Sequence, residues 1–175
     1  MTTTRYVALL RGVNVAGRGT VKMDDLRHVF DALGYDDVAT YIQSGNVIFT
    51  SDGPVDAGTV ERAIEADLGM NVTVVLRTSA QLKGVVRRNP FTDVDTSKLH
   101  IGFMAERPPA AAVRSLDRER FSPDDVVVDG GELYFHLPNG IGRSKLPVYV
   151  GRQLKVPTTV RNWNTVTKLV DLVTA

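Results

Sequence analysis

The chain has 175 residues, with 21 Lys or Arg against 20 Asp or Glu, a formal net charge of +1 and no cysteine. This length allows one domain or two small ones with a real core, and the lack of cysteine excludes thiol chemistry, disulfides and zinc–thiolate sites. No apolar run approaches the roughly 20 residues that span a bilayer, and the start, MTTTRYVALL, does not fit a signal peptide. We therefore expect a cytoplasmic protein that has no membrane partner.

The first half of the chain predicts four strands and two helices. A continuous apolar run is typical of a strand buried on both faces, and an apolar stripe at helical spacing followed by glycine is typical of a helix and its end. In chain order these are a strand at Tyr6–Leu10, a helix over Leu26 to Leu33 that ends at Gly34, two strands joined by a tight turn at Ser44-Gly45-Asn46, a helix capped by Asp56 and ended by Gly69, and a strand at Asn71–Leu76. This order, β-α-β-β-α-β, is the split βαβ pattern of a ferredoxin-like unit.

The second half repeats the order of elements without a recognisable repeat of sequence. Its elements are a connecting helix capped by Ser79 and stopped at Asn89-Pro90, the strand LHIGFMA, a helix over Pro109–Arg118, a hairpin over Gly130-Gly131, an irregular helix over Lys145–Leu154, a short strand at Pro157–Val160 and a helix over Trp163–Val173. We predict the α+β class, with two tandem ferredoxin-like (split βαβ) subdomains plus a C-terminal helix. The predicted divisions are a first βαββαβ subdomain over 1–78, a connecting helix and loop over 79–97, and a second α+β subdomain with the C-terminal helix over 98–175.

The charge is distributed unevenly along the chain. From Pro138 onward, six basic residues stand against one acidic residue, Asp171. The six are Arg143, Lys145, Arg152, Lys155, Arg161 and Lys168. Such a block marks a surface for anionic partners or is simply the solvated face of two helices, and the pattern alone is compatible with both.

The loop RGVNVAGRGTV, from Arg11 to Val21, is longer than the roughly 2–6 residues that usually connect a strand and a helix. Arg11 and Arg18 are suited to grip phosphate or carboxylate, with Asn14 as a polar contact, and its glycines would let the backbone approach an anion. The loop matches neither the Walker motif nor G-x-G-x-x-G. The alternative is a structural loop in which the glycines adopt backbone conformations that other residues avoid.

The segment PNGIGRSKL, Pro138 to Leu146, offers similar chemistry before the irregular helix. A turn explains its glycines, and helix capping explains Ser144. Neither explains Arg143 and Lys145 at a helix N-terminus, where the helix dipole disfavours cations. A bound anion would remove that conflict.

Four further side chains have open alternatives. Arg161, in VRNWNTV, either joins the other cations or pairs with a surface acid, while Asn162 is a natural N-cap. The histidines, His28, His100 and His136, fall on the solvent side of a helix or opposite the apolar alternation of strands. None has metal-ligand spacing, and no nucleophile elbow is present, so we expect no metal site and assign no catalytic residue. His136 keeps the alternative of an acid or base, because it lies just upstream of the segment GIGRSKL.

Several stretches together resemble a known family. These are YVALLRGVNVAG, VKMDDLRHVFDALGYDDVATYIQSGNVIF, NPF, GIGRSKL and TTVRNWNTVTKL, in that order over nearly the whole chain. They resemble the family named domain of unknown function 1697. The resemblance implies an α+β protein with two similar subdomains and supplies no activity or catalytic residues. The chain departs from the family pattern at Pro147 and Gly151, where members are more strongly helical.

Three functions are compatible with these patterns. The first is binding of a phosphate-bearing small ligand or a nucleic-acid backbone, through Arg11, Asn14, Arg18, Arg143, Ser144, Lys145 and Arg161. The second is an enzyme acting on a phosphorylated or acyl substrate, in which the same arginines stabilise negative charge; no cofactor is indicated for it. The third is a structural or assembly role. Base stacking in the manner of the common RNA-binding module is not expected, because the third strand, NVIFTS, has a single aromatic residue.

Overall fold

The computed structural model describes residues 2–12, 21–41 and 45–175. The chain forms two compact units, Met1–Lys83 together with Leu169–Ala175, and Gly84–Lys168. Each unit contains a four-stranded antiparallel sheet, and the described residues form six α-helices in all. The α+β class is therefore confirmed. None of the helices within the described ranges has the length and apolar character needed to cross a bilayer.

The first unit places its strands in the order β2-β3-β1-β4. In chain order its elements are β1 (Thr4–Arg11), α1 (Met23–Ala32), β2 (Asp36–Tyr41), β3 (Asn46–Ser51), α2 (Ala57–Leu68) and β4 (Thr73–Thr78), followed by the start of α3 (Ser79–Arg87). The glycines that the sequence predicts as helix ends, Gly34 and Gly69, both have positive φ, at 88° and 67°. Glycine reaches this region without the steric penalty of a Cβ, so both stop signals are explained.

The core of the first unit is centred on Phe49 of β3. Its ring lies 5.5 Å from that of Tyr6, 5.2 Å from that of Phe30 and 4.6 Å from that of Tyr35, measured between centroids. Apolar residues of α1, α2 and the sheet surround this group. All four residues Val7–Leu10 of β1 are buried, which confirms the prediction of a strand covered on both faces.

The second unit places its strands in the order β6-β7-β5-β8. In chain order its elements are the end of α3, β5 (Leu99–Met104), α4 (Ala110–Arg114), β6 (Asp125–Asp129), β7 (Glu132–His136), α5 (Leu146–Leu154), β8 (Thr158–Asn162) and the start of α6 (Trp163–Thr174). The predicted hairpin is confirmed, since Asp129 pairs with Glu132 across Gly130-Gly131. Leu146, Val150 and Leu154 of α5 share a core with Leu133 and Phe135 of β7.

Two boundary predictions are wrong for identifiable reasons. The cap of α3 is Thr78, not Ser79: the Thr78 hydroxyl accepts from the Gln81 N–H at 3.2 Å, and the Gln81 amide oxygen accepts from the Thr78 N–H at 2.9 Å. This reciprocal pair is a capping box. Helix α4 ends at Arg114 and does not reach Arg118, because the Asp117 N–H donates to the Tyr149 hydroxyl at 3.0 Å instead of continuing the helix.

His100 is buried, contrary to its predicted position opposite the apolar alternation. Only 8% of its surface is exposed, and its Nδ1 has no hydrogen-bond partner among the described residues. Burial lowers the pKa of His100 below its ordinary value of 6.5, although a hydrogen bond to the Lys98 backbone acts in the opposite direction. The imidazole is therefore neutral at pH 7.

We expect the free energy of unfolding to fall as the pH drops below about 6.5, because the unfolded chain then takes up a proton at His100 before the folded chain does. The stabilisation is present above the unfolded pKa and is lost as the pH falls through the lower folded pKa. Urea unfolding of wild type and His100→Gln at pH 7.5 and 5.5 measures this. The variant should lose less stability on acidification than wild type, and equal losses would show that His100 is not responsible.

Candidate anion-binding surface

The segment before α5 combines one backbone position that favours glycine with one hydrogen bond from the backbone to a serine side chain. Gly140 has φ 89°, which explains the first glycine of PNGIGRSKL, and Ile141–Arg143 forms a single 3₁₀ turn. The Ser144 hydroxyl accepts from the Leu146 N–H at 3.2 Å, but the N-cap position of α5 is occupied by Lys145, so Ser144 bonds to the first turn from one residue outside the predicted cap. Arg143 and Lys145 on either side of Ser144 are exposed. The backbone geometry of the segment is thus accounted for, and its two cations are not.

Helix α5 has two distinct sides. Leu146, Val150 and Leu154 recur every fourth residue on the buried side. The opposite side carries Val148 and Arg152, and the capping residues Lys145 and Lys155 stand three positions before and three positions after them; all four are exposed. Together with Arg143 these form what we call the α5 basic face: Arg143, Lys145, Val148, Arg152 and Lys155.

Helix α5 forms although it contains Pro147 and Gly151, two residues that disfavour helix. Pro147 lies in the first turn, where its missing N–H would have no intrahelical partner, so it is tolerated. Gly151 lies in the last turn on the exposed side. Neither residue therefore abolishes the helix.

The charges of the α5 basic face are not neutralised within the described ranges. The ion pairs there use other arginines, such as Arg88 with Asp129 and Glu132 at 3.0 and 3.2 Å, and Arg118 with Asp125 at 3.0 Å. No acidic residue lies between Glu132 and Asp171 in the sequence. The helix dipole favours the two cations at the C-terminal end of α5 but disfavours Arg143 and Lys145 at its start. An anion at this end would therefore relieve an unfavourable arrangement.

Arg161 does not join this surface. It lies on β8 opposite Ile101 of β5, is only 7% exposed, and donates to the Thr159 hydroxyl and, at 3.0 Å, to the Val160 carbonyl. Burial lowers its pKa to about 10, so it remains charged at neutral pH. The next residue, Asn162, caps α6 as predicted, because its side-chain oxygen accepts from the Thr165 N–H at 2.8 Å.

The alternation of side chains along a strand explains why Arg161 is separate. Thr158 and Val160 pair with Met104 and Gly102, on the sheet face whose Met104 packs in the same core as α5. Because successive strand residues point to opposite faces, Arg161 points away from α5. Of the seven predicted contact residues, Arg143, Ser144 and Lys145 lie together by position in the chain, and Arg161 does not lie with them.

The remaining predicted residues belong to the first unit. Arg11 ends β1 and is exposed, and Gly12 beside it has φ 96°. Asn14 and Arg18 fall outside the described residues, as does Ser44 of the predicted turn. Their role in binding stays a prediction.

Three further residues, Tyr149 in α5 and its partners Arg120 and Phe121, match no sequence motif. The guanidinium carbon of Arg120 lies 5.2 Å from the ring centroid of Phe121 and 5.3 Å from that of Tyr149 in α5. The two rings are 5.1 Å apart. Tyr149 could have been found from helical spacing, since it follows Lys145 by four residues and precedes Arg152 by three, but its contact with Phe121 is long-range and has no local pattern.

One surface depression in the first unit is chemically different. It is lined by Asp25, His28, Val29, Ala32, Asp67 and Leu68, from α1 and α2. Its two carboxylates would repel a phosphate. The depression is therefore not a phosphate pocket. It also holds no group of three side chains that could bind a metal ion, because none occurs in the part of the chain that the structure covers.

Comparison with known proteins identifies a family and a fold. A family model described as "Protein of unknown function (DUF1697)" matches residues 3–134, a range that ends before α5. No curated protein matches the sequence. The chain is similar to a solved structure of a conserved bacterial protein from Streptococcus pneumoniae, with 22% sequence identity and a TM-score of 0.74, over 98% of this chain and 99% of that one. At this level of identity the likeness shows the fold alone.

Proposed function

Because the chain belongs to the DUF1697 family, whose description assigns no chemistry, we propose its function from the α5 basic face: it binds the phosphate backbone of nucleic acid. The observation that carries the proposal is four exposed cations in and around α5, none of them in an ion pair within the described residues. Arg152 lies in the helix, Lys145 and Lys155 are its two capping residues, and Arg143 ends the turn before it. Their sign and exposure match a partner with regularly spaced negative charges.

The shape of this surface favours a polyanion over a small phosphate-bearing ligand. From Lys145 to Lys155 the helix rises about 15 Å, at about 1.5 Å per residue. Along the axis of duplex DNA the phosphates of one strand recur about every 3.4 Å, so this length corresponds to about four of them. A small ligand would instead require cations that converge in a concave pocket, and the depression between α1 and α2 carries carboxylates.

The binding mode follows from the burial of the sheets. All residues of β5, Leu99–Met104, are buried in the unit that contains α5, and so are Val7–Leu10 of β1 in the first unit, so neither central strand offers a platform on which bases could stack. Affinity would then come chiefly from neutralised phosphates and would depend little on sequence. For about four contacts to a single strand, log K should fall with log salt at a slope of about −3.

Fluorescence anisotropy of a labelled 20-nucleotide DNA, titrated at several salt concentrations, tests the proposal. We expect dissociation constants of about 10⁻⁶ to 10⁻⁴ M at physiological salt, and binding that becomes steeply tighter as the salt concentration is lowered. Absence of binding at about 50 mM salt, or binding that salt does not change, would overturn the proposal. Inorganic phosphate should compete only weakly, because it cannot contact several cations at once.

We also propose that Arg11, with Asn14 and Arg18, provides a second backbone contact from the first unit. Arg11 is exposed at the end of β1, and the segment that follows is rich in glycine, which allows close approach to an anion. The stoichiometry of the titration shows whether this contact and the α5 basic face bind the same strand or two different strands.

For the fold, we propose that the two units are tandem ferredoxin-like repeats. Both place four strands in equivalent order. Arg77 pairs with Val7 and donates to the Leu76 carbonyl at 2.8 Å, as Arg161 pairs with Ile101 and donates to the Val160 carbonyl at 3.0 Å. In each unit a helix begins two residues after the arginine. These equivalent details support a duplicated unit of about 80 residues, β-α-β-β-α-β-α.

A further inference from the structure

The group formed by Arg120, Phe121 and Tyr149 has the chemistry of a stacking site. Arg120 is exposed, and its guanidinium lies within cation–π distance of both rings, at 5.2 and 5.3 Å. The Tyr149 ring is held in place because its hydroxyl accepts from the Asp117 N–H at 3.0 Å. A planar cation is thus supported from below by two aromatic rings.

This group lies directly beside the α5 basic face. Tyr149 belongs to α5, four residues after Lys145 and three before Arg152. Residues at these separations are neighbours on a helix surface, about 5–6 Å apart between Cβ atoms. Cations that suit phosphates therefore flank the aromatic support on both sides along the helix.

We propose that Arg120, resting on Phe121 and Tyr149, stacks an unpaired base, so that the nucleic acid bound by α5 is single-stranded. This inference rests on the proposed function. Bases of single strands stack on aromatic side chains and on guanidinium planes. In a duplex the bases already stack on one another, and only the backbone would reach the surface. The platform therefore distinguishes single strands from duplexes, which the cations alone would not do.

Three probes of equal length separate stacking from charge: a labelled thymidine 12-mer, an abasic 12-mer with the same phosphates, and a 12-base-pair duplex. We expect wild type to bind the thymidine strand about tenfold more tightly than the abasic strand, the effect of about one stacked base. The variant Arg120→Lys keeps the charge and loses the guanidinium plane. It should bind both single strands with the affinity that wild type shows for the abasic strand.

The outcomes are distinguishable. Equal affinity of wild type for the thymidine and abasic strands, or duplex binding as tight as single-strand binding, overturns the stacking site and leaves backbone binding intact. Persistence of the thymidine preference in Arg120→Lys also overturns it. No binding to any probe overturns both the stacking site and the proposed function. Since Arg120 is exposed, thermal unfolding of Arg120→Lys should match wild type, which confirms that the comparison concerns folded protein.

Discussion

Replacing Arg143, Lys145 and Arg152 together with glutamine is expected to weaken binding of a single-stranded 20-mer by about 10²-fold at low salt. The reason is counterion release: each lost phosphate contact removes about 0.7 from the magnitude of the slope of log K against log salt. Three lost contacts should reduce that magnitude by about 2. All three side chains are exposed, so the variant should fold normally. Anisotropy titrations between about 20 and 200 mM salt give both quantities.

A control variant with the same change in net charge distinguishes binding by the α5 basic face from attraction of nucleic acid by the total charge of the protein. Lys22, Lys83 and Arg87 are exposed and lie outside α5. Their triple replacement by glutamine should leave affinity within a few-fold of wild type and the salt slope almost unchanged. If the two triple variants weaken binding equally, the α5 basic face has no special role, and the attraction is that of the whole molecule.

Replacing Phe49 with alanine is expected to destabilise the protein by about 3–5 kcal/mol. Phe49 is fully buried and contacts the rings of Tyr6, Phe30 and Tyr35, so its loss leaves a cavity in the core that α1 and α2 share with the sheet. Against a typical total stability of about 5–15 kcal/mol, this is a large fraction. Urea unfolding followed by circular dichroism measures the change.

The matched control is Val148→Ala on α5, where the side chain is 59% exposed. Its effect on stability should stay within about 0.5 kcal/mol. A loss below about 1 kcal/mol for Phe49→Ala would mean that the aromatic group is not the centre of this core, and that the surrounding side chains close the space without cost.

The order of elements could be predicted from sequence because local patterns carry it. Gly34 and Gly69 mark helix ends through their positive φ, and Gly130-Gly131 marks a hairpin. The two boundary errors have different causes: the α3 cap depends on the local pair Thr78 and Gln81, whereas the end of α4 depends on a distant residue. Helix α4 is shortened by the bond from Asp117 to Tyr149, 32 positions away in the chain, and no pattern near Arg114 reveals it.

The site was predictable to a lesser degree, for a related reason. The anomaly of cations at a helix start identified Arg143 and Lys145, and helical spacing adds Arg152 and Lys155. In the sequence, only its charge associates Arg161 with these cations. The face of the sheet on which Arg161 lies depends on the register of β8 against β5. That register pairs Arg161 with Ile101 and buries it. The sequence of a five-residue strand does not reveal the register.

Mapping of backbone amides by NMR tests the central claim most directly. With ¹⁵N-labelled protein and an unlabelled thymidine 12-mer at low salt, we predict that the largest shift changes fall on residues 141–155, and that they disappear as salt is raised. Changes concentrated around Asp25 and Asp67 between α1 and α2, or no changes in residues 141–155, would contradict backbone binding by the α5 basic face.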